Sequence, residues 1–253
     1  MTTYFLGEEL LNKNNLTVII LAAGKGTRMR SNLPKVLHTI NNKPMLQTVI
    51  DTSLTLKPQK ILIVVGYKKE LIIEKIKRNN IITYVNQKEQ KGTGDAIKQC
   101  LKEIKSRENV LILSGDVPLI SSSTLKNFIH EYKKNKSNAS LISTNLSNPS
   151  GYGRIIRTNK INLLKIVEHK DANKKELNIT EINSGIYLIK SQIIIDKIPL
   201  IKSNNAQGEY YLTDIFNFIN PEETNIYNTN NHLEISGINT LEQLQTLEKE
   251  HNE

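Results

Sequence analysis

The 253-residue chain has a single cysteine, Cys100, and no tryptophan. One thiol excludes an intramolecular disulfide and a cysteine-rich zinc site. No apolar run reaches the ~18 residues of a membrane-spanning helix, so no membrane partner is expected. The opening, MTTYFLGEELLNKNN, carries Glu8 and Glu9. It lacks the basic flank and apolar middle of a signal peptide, and a cytoplasmic location is expected. Acidic residues are the minority: 25 Asp and Glu against 34 Lys and Arg, a net charge of +9. The lysines are scattered, with no dense basic block and no basic–aromatic interleaving. Solvated helix faces account for such charge, and no nucleic-acid partner is expected. No Pro/Gly/Ser-rich linker divides the chain. No internal repeat is visible, and no hexapeptide period follows residue 240.

What is there alternates. TVIILAAG (17–24), KILIVVG (60–66), ITYV (82–85) and NVLILSGD (109–116) read as short buried strands. Leu46, Val49, Ile50 and Leu54 fall on one helical face. So do Ile97, Cys100, Leu101 and Ile104, and again Leu125, Phe128, Ile129 and Tyr132. Pro44 suits a first helical turn, where a missing N–H costs nothing. Strands alternating with helices predict an α/β fold: a mostly parallel, Rossmann-like sheet with helices on both faces. The second half changes rhythm. NASLIST, GRIIRT, INLLKIVEHK and EINSGIYLIK are strand-like and predict a smaller mixed β lobe. GEYYLTDIFNFI (208–219) reads as a helix. NTLEQLQTLEKE closes the chain as an amphipathic helix with Leu241, Leu244 and Leu247 on one side.

The stretch IILAAGKGTRM stands out. If TVIIL is the first strand, the loop lies at the carboxyl edge of the sheet, where open α/β sheets bind ligands. Ala22, Ala23, Gly24 and Gly26 let a ligand approach the backbone. Successive N–H groups can face an anion. Lys25, Arg28 and Lys35 add charge. The spacing matches neither the Walker A loop nor the dinucleotide fingerprint. On the loop alone, a tight turn with exposed cations stays open beside a phosphate loop, and Lys25 stays open throughout.

The loop is followed by SNLPK. The combination of LAAGKGTRM with LPK resembles the sugar-1-phosphate nucleotidyltransferases. More narrowly, it resembles the uridylyltransferase domain of the bacterial bifunctional N-acetylglucosamine-1-phosphate uridyltransferases. The likeness continues through QKEQKGTGDAI, SGDVPLI, GYGRI, IVEHKDA, EINSGIYL, NNAQGEYYLTDI and SGIN, over residues 17 to 241. It implies the nucleotide-diphospho-sugar transferase fold and the reaction of UTP with N-acetylglucosamine 1-phosphate, giving UDP-N-acetylglucosamine and pyrophosphate. The implied catalytic cations are Arg28 and Lys35. The implied nucleotide contacts are Leu21, Ala22, Ala23, Gly24, Gln87, Gly92 and Thr93. Gly153, Glu168 and Asn183 match the sugar-binding positions. Asp116 and Asn239 match the ligands of Mg²⁺, which takes few protein oxygens and completes its shell with phosphate and water.

Read without the resemblance, several of these residues have plain structural roles. Asp116 would be a turn residue before Val117-Pro118, and Asn239 a helix N-cap. Gly92-Thr93 would simply start a helix. The resemblance also leaves alternatives: the same chemistry on glucose 1-phosphate or with another nucleotide, or a non-catalytic nucleotide-sugar binding protein. Several bacterial members of the family have tyrosine where this chain has Ser114, so no aromatic contact is expected there. The expected organisation is an extension over 1–15, outside the usual start and expected to lack order, then one nucleotidyltransferase domain over 16–253. That domain divides into a nucleotide-binding lobe (about 16–120), a sugar-binding lobe (about 121–240) and a closing helix (240–253). The acetyltransferase β-helix of the bifunctional enzymes has no counterpart before Glu253. A monofunctional monomer or dimer, not a trimer, is expected.

Overall fold

The computed structural model describes residues 15–159 and 161–252; the expected N-terminal extension lies outside them except for Asn15. Strand β1 (Leu16–Ala22) leads into the glycine loop. A short antiparallel pair follows, β2 (Thr39–Ile40) and β3 (Lys43–Pro44), then α1 (Met45–Leu54), β4 (Lys60–Val65), α2 (Lys69–Lys75), β5 (Ile82–Asn86), α3 (Thr93–Gln99) and β6 (Asn109–Ser114). The second half contributes α4 (Ser122–Lys134), β7 (Ala139–Asn145), β8 (Arg154–Thr158), β9 (Asn162–Val167), α5 (Lys174–Leu177), β10 (Glu181–Lys190), α6 (Ser191–Lys197), β11 (Thr224–Asn228) and α7 (Leu241–Asn252).

One sheet runs through the domain in the order β11-β7-β10-β6-β1-β4-β5, with β8 and β9 attached through β10. Strands β6, β1, β4 and β5 are mutually parallel, and β11 is parallel to β7. Strand β10 runs antiparallel to both β6 and β7.

The strands are apolar on both faces because helices cover both. Successive residues serve opposite cores. Val18, Ile20, Ile61, Ile63, Leu111 and Leu113 join α1, α2 and α4 on one side. Ile19, Leu62, Val64, Val110 and Ile112 join α3, α6 and Leu212, Ile215 and Phe216 on the other. Helix α4 starts where Ser121 Oγ accepts the Thr124 N–H, which satisfies an otherwise unpaired donor. A third cluster, Ile40, Met45, Ile238, Leu244 and Leu247, seats α7.

The expected parallel sheet and its four strands are present, as are the mixed strands that follow. The expected helix over 208–219 is not. Gly208 has φ +64°, and residues 209–211 are not helical. Their backbone is drawn into other bonds: Tyr210 N donates to Lys91 O at 2.8 Å, and Gly94 N donates to Tyr210 O at 2.7 Å. Only Leu212–Phe218 coils, as 3₁₀ turns. Elements β2, β3, α2, α5, α6 and β11 were not foreseen.

Glu108 is buried at the opposite, amino-terminal edge of the sheet. Its Oε2 accepts from Thr17 Oγ1 at 2.8 Å and from Lys105 N at 3.3 Å, and Lys60 Nζ lies 3.7 Å from its Oε1. Glu108→Ala takes the acceptor away from Thr17 Oγ1 and Lys105 N and should lower stability by ~1–3 kcal/mol in urea unfolding. Glu108→Gln should recover part of the loss. A change under ~0.5 kcal/mol, the size of an ordinary surface substitution, would show that this node is not needed.

Candidate active site

The parallel strands end on one edge, and a cleft of about 820 Å³ opens there. Its floor is the turn after β1, Leu21 to Thr27; its walls carry Lys35, Gln87, Gly92, Thr93, Ser114, Asp116 and Glu209. The loop holds its shape through two devices. Met29 is buried and anchors a 3₁₀ turn over Thr27–Met29. Gly26 has φ +63°, and a Cβ there would sit 2.5 Å from Lys35 Cβ, so only glycine lets the loop lie against Lys35. Nothing stands within 4 Å of the Cβ position of Gly24.

Lys35 Nζ pairs with Asp116 Oδ2 and donates to Asn239 Oδ1 at 3.1 Å. Arg28 Nη2 donates to the same Asn239 oxygen at 2.8 Å. The four residues therefore meet at one point. Their positions come from the loop after β1, the turn after β6 and the segment before α7. Asn239 is placed by Gln243 Oε1, which accepts its backbone N–H at 2.7 Å. Thr240 Oγ1 in turn accepts the Gln243 N–H at 3.1 Å, so the first turn of α7 is capped by Thr240, not by Asn239.

Gln87 is buried beside the cleft; its Nε2 donates to Gly92 O at 3.1 Å and to Asp95 Oδ2 at 2.8 Å. Gly92 has φ +110°, and a Cβ would lie 2.5 Å from Tyr210 O. Thr93 Oγ1 accepts the Leu212 N–H at 3.0 Å. The 91–94 turn and the 209–212 segment thus brace each other, which is why the latter gives up helix.

Gly153, Glu168 and Asn183 form a second group outside that cleft lining. A Cβ on Gly153 would be 3.4 Å from Glu168 Oε2 and 3.6 Å from Asn183 Cβ. Asn183 N donates to Gly153 O at 2.9 Å, and Asn183 Nδ2 donates to the Tyr187 hydroxyl at 2.7 Å. A bulge between Asn183 and Tyr187, with Gly185 at φ +78°, turns β10 toward Ser114 of the cleft. Glu168 Oε1 accepts from Thr213 Oγ1 at 3.1 Å. Burial pushes the Glu168 carboxyl above its ordinary range; Asp171, Asp214 and Glu209 push the same way, against the Thr213 bond. The supports Asp95, Tyr187 and Thr213 were missed in the sequence. All three lie inside matched motifs, QKEQKGTGDAI, EINSGIYL and NNAQGEYYLTDI, but nothing in those motifs marks which partner each side chain bonds.

Residues 18–167 match the family model described as the MobA-like NTP transferase domain. The chain belongs to this nucleotidyltransferase family. Its likeness to the sugar-1-phosphate branch is borne out by sequence relatives. One is the "Probable UDP-N-acetylglucosamine pyrophosphorylase" of Acanthamoeba polyphaga mimivirus, 42% identical over 245 residues, covering 93% of this chain and 96% of that protein. Another is "Bifunctional protein GlmU" of Buchnera aphidicola subsp. Baizongia pistaciae, 44% identical over 242 residues, covering 94% of this chain and 53% of that one. The chain thus spans about half the length of the bifunctional relatives it matches. Among solved structures, UDP-glucose pyrophosphorylase complexed with UDP-glucose superposes with a TM-score of 0.72 at 19% identity, covering 93% of this chain and 98% of the other. That likeness confirms the nucleotidyltransferase fold.

The raised Glu168 carboxyl has a definite consequence for stability. The folded state holds that proton more tightly than the unfolded chain does. Its contribution is complete below the ordinary carboxyl range and is lost as pH rises through the raised value. Glu168→Gln keeps an acceptor for Thr213 and removes the charge. Its Tm should exceed the parent's by ~2–4 °C at alkaline pH, and the two should converge near about pH 4, the ordinary carboxyl range. A variant less stable than the parent at pH 8 would contradict this.

Proposed function

We propose that this chain transfers a uridylyl group from UTP to N-acetylglucosamine 1-phosphate, releasing pyrophosphate. One observation carries the reading: Arg28, Lys35, Asp116 and Asn239 converge beside a glycine loop at the carboxyl edge of the sheet. The end-to-end match to a relative named as a pyrophosphorylase supports the substrates. The division into a nucleotide-binding lobe (about 16–120) and a sugar-binding lobe (about 121–240) belongs to the same reading. So do a cytoplasmic location and surface lysines that serve no nucleic acid. Among the described residues no helix is long and apolar enough to cross a membrane.

In this mechanism the backbone of Leu21 to Gly24 lies along the triphosphate. Gln87, Gly92 and Thr93 hold the base. Gly153, Glu168 and Asn183 hold the sugar and its acetamido group. A sugar-phosphate oxygen attacks the α-phosphorus in line, and the bond to pyrophosphate breaks. The nucleophile is already anionic, so the chain supplies position and positive charge in place of a strong base. Arg28 can fork onto phosphate oxygens, and Lys35 carries a point charge on a flexible stem.

The residues also fit a divalent ion. Asp116 and Asn239 already aim two oxygens at one cation, the Lys35 ammonium. A carboxylate and an amide oxygen are the hard donors Mg²⁺ takes in small number, beside phosphate and water. When bound, that ion would neutralise phosphate charge; Asp116 and Asn239 would hold it.

Pyrophosphate release across four nucleoside triphosphates and several sugar 1-phosphates, with and without Mg²⁺, tests the proposal. Absence of release with UTP and N-acetylglucosamine 1-phosphate would refute it. Lys35→Ala should lower turnover by at least ~10²-fold, with a smaller effect on UTP binding. Turnover within a few-fold of the parent would remove Lys35 from the mechanism. Asp116→Asn should nearly abolish Mg²⁺-dependent turnover with Tm little changed; normal metal dependence would make the aspartate a turn residue only.

A further inference from the structure

The amide of Gln87 is fixed in one orientation. Its nitrogen has two N–H groups, and both are used, toward Gly92 O and Asp95 Oδ2. A carbonyl and a carboxylate only accept. Turning the amide over would set oxygen against oxygen at both contacts. Asp95 is itself held: Gln99 Nε2, one turn along α3, donates to its Oδ1 at 3.0 Å. Gln87 lines the cleft, and its Oε1 takes no hydrogen bond from the described residues. The amide therefore offers the cleft an acceptor and no donor.

We infer that Asp95 is a specificity-determining positioning residue: it locks the Gln87 amide so that only Oε1 faces the nucleobase. The inference rests on the reading of this cleft as a nucleotide site. A base that presents a ring N–H to that oxygen gains a hydrogen bond. Uracil does so through N3–H. Cytosine carries an unprotonated N3 at the same place, and its lone pair faces the oxygen. The mismatch leaves a partly buried acceptor unpaired, which corresponds to about ten- to a hundredfold in selectivity. Asp95 acts through Gln87, without contact to the base. A carboxylate does this better than an amide would, because it can never donate and so never permits the inverted orientation.

The test compares UTP with CTP in the full chain, using N-acetylglucosamine 1-phosphate as the second substrate. The parent should prefer UTP in kcat/KM and in calorimetric Kd. Asp95→Asn, close in size, lets a side-chain amide donate to an inverted Gln87; Asp95→Ala removes the shorter of the two contacts that hold the amide and leaves only the Gly92 carbonyl at 3.1 Å. Both should narrow the UTP-over-CTP ratio by about tenfold or more, through KM and Kd more than kcat, with Tm within a few degrees of the parent. Gln99→Ala, which loosens Asp95 from behind, should narrow the ratio less. A parent that discriminates and variants that discriminate equally well, including variants that lose both nucleotides to the same degree, would overturn the role of Asp95 and leave nucleotidyl transfer standing. A parent that neither binds nor turns over either nucleotide would instead overturn the reading of the cleft.

Discussion

The Lys35 ammonium sits between the Asp116 carboxylate and the Asn239 amide oxygen. Two cations, Lys35 and Arg28, face one carboxylate at this point, so the cluster keeps an excess of positive charge where the strands end. A unit pair at 4 Å interacts by ~4 kcal/mol at an effective dielectric of 20, enough for the surplus to matter to an incoming phosphate. The same contact ties three segments together: the loop after β1, the turn after β6 and the start of α7. Gly26 makes the arrangement possible, because any side chain there would displace Lys35.

The direction of β10 explains how the second half of the chain reaches the same place. Running antiparallel to β6, it brings its early residues beside the end of β6, with Gly185 next to Ser114. Asn183 then stands two residues from that point, and Gly153 and Glu168 pack on it through β8 and β9. A parallel β10 would have carried Asn183 to the opposite edge, beside Glu108. The mixed sheet is thus what allows two groups of polar residues, far apart in the chain, to share one side of the molecule.

Much of this was legible beforehand. Four parallel strands were readable because their apolar residues are continuous and bounded by Gly24, Gly66 and Asp116. The glycine loop and its cations were visible as a local pattern, and the site residues were reachable through motif likeness. The helix expected over 208–219 failed because propensity counts only local terms, whereas Tyr210 and Leu212 bond to the 91–94 turn more than a hundred residues earlier. Supporting residues stayed hidden for the same reason. Nothing local marks Thr213 as the donor to Glu168, or Tyr187 as the acceptor for Asn183.

The position of Asn239 has a consequence for a chain still being synthesised. Its oxygen is the only atom joining Lys35 to Arg28 among the described contacts, and it lies 211 residues beyond Arg28. A nascent polypeptide that has emerged through β10 already holds the glycine loop, Asp116 and the strands behind them. The two cations share a partner only through the segment before α7, the helix that Leu244 and Leu247 seat against Ile40 and Met45. Asn239 follows every strand of the sheet in the chain, so the cation pair cannot be completed before the strands that support it have been synthesised.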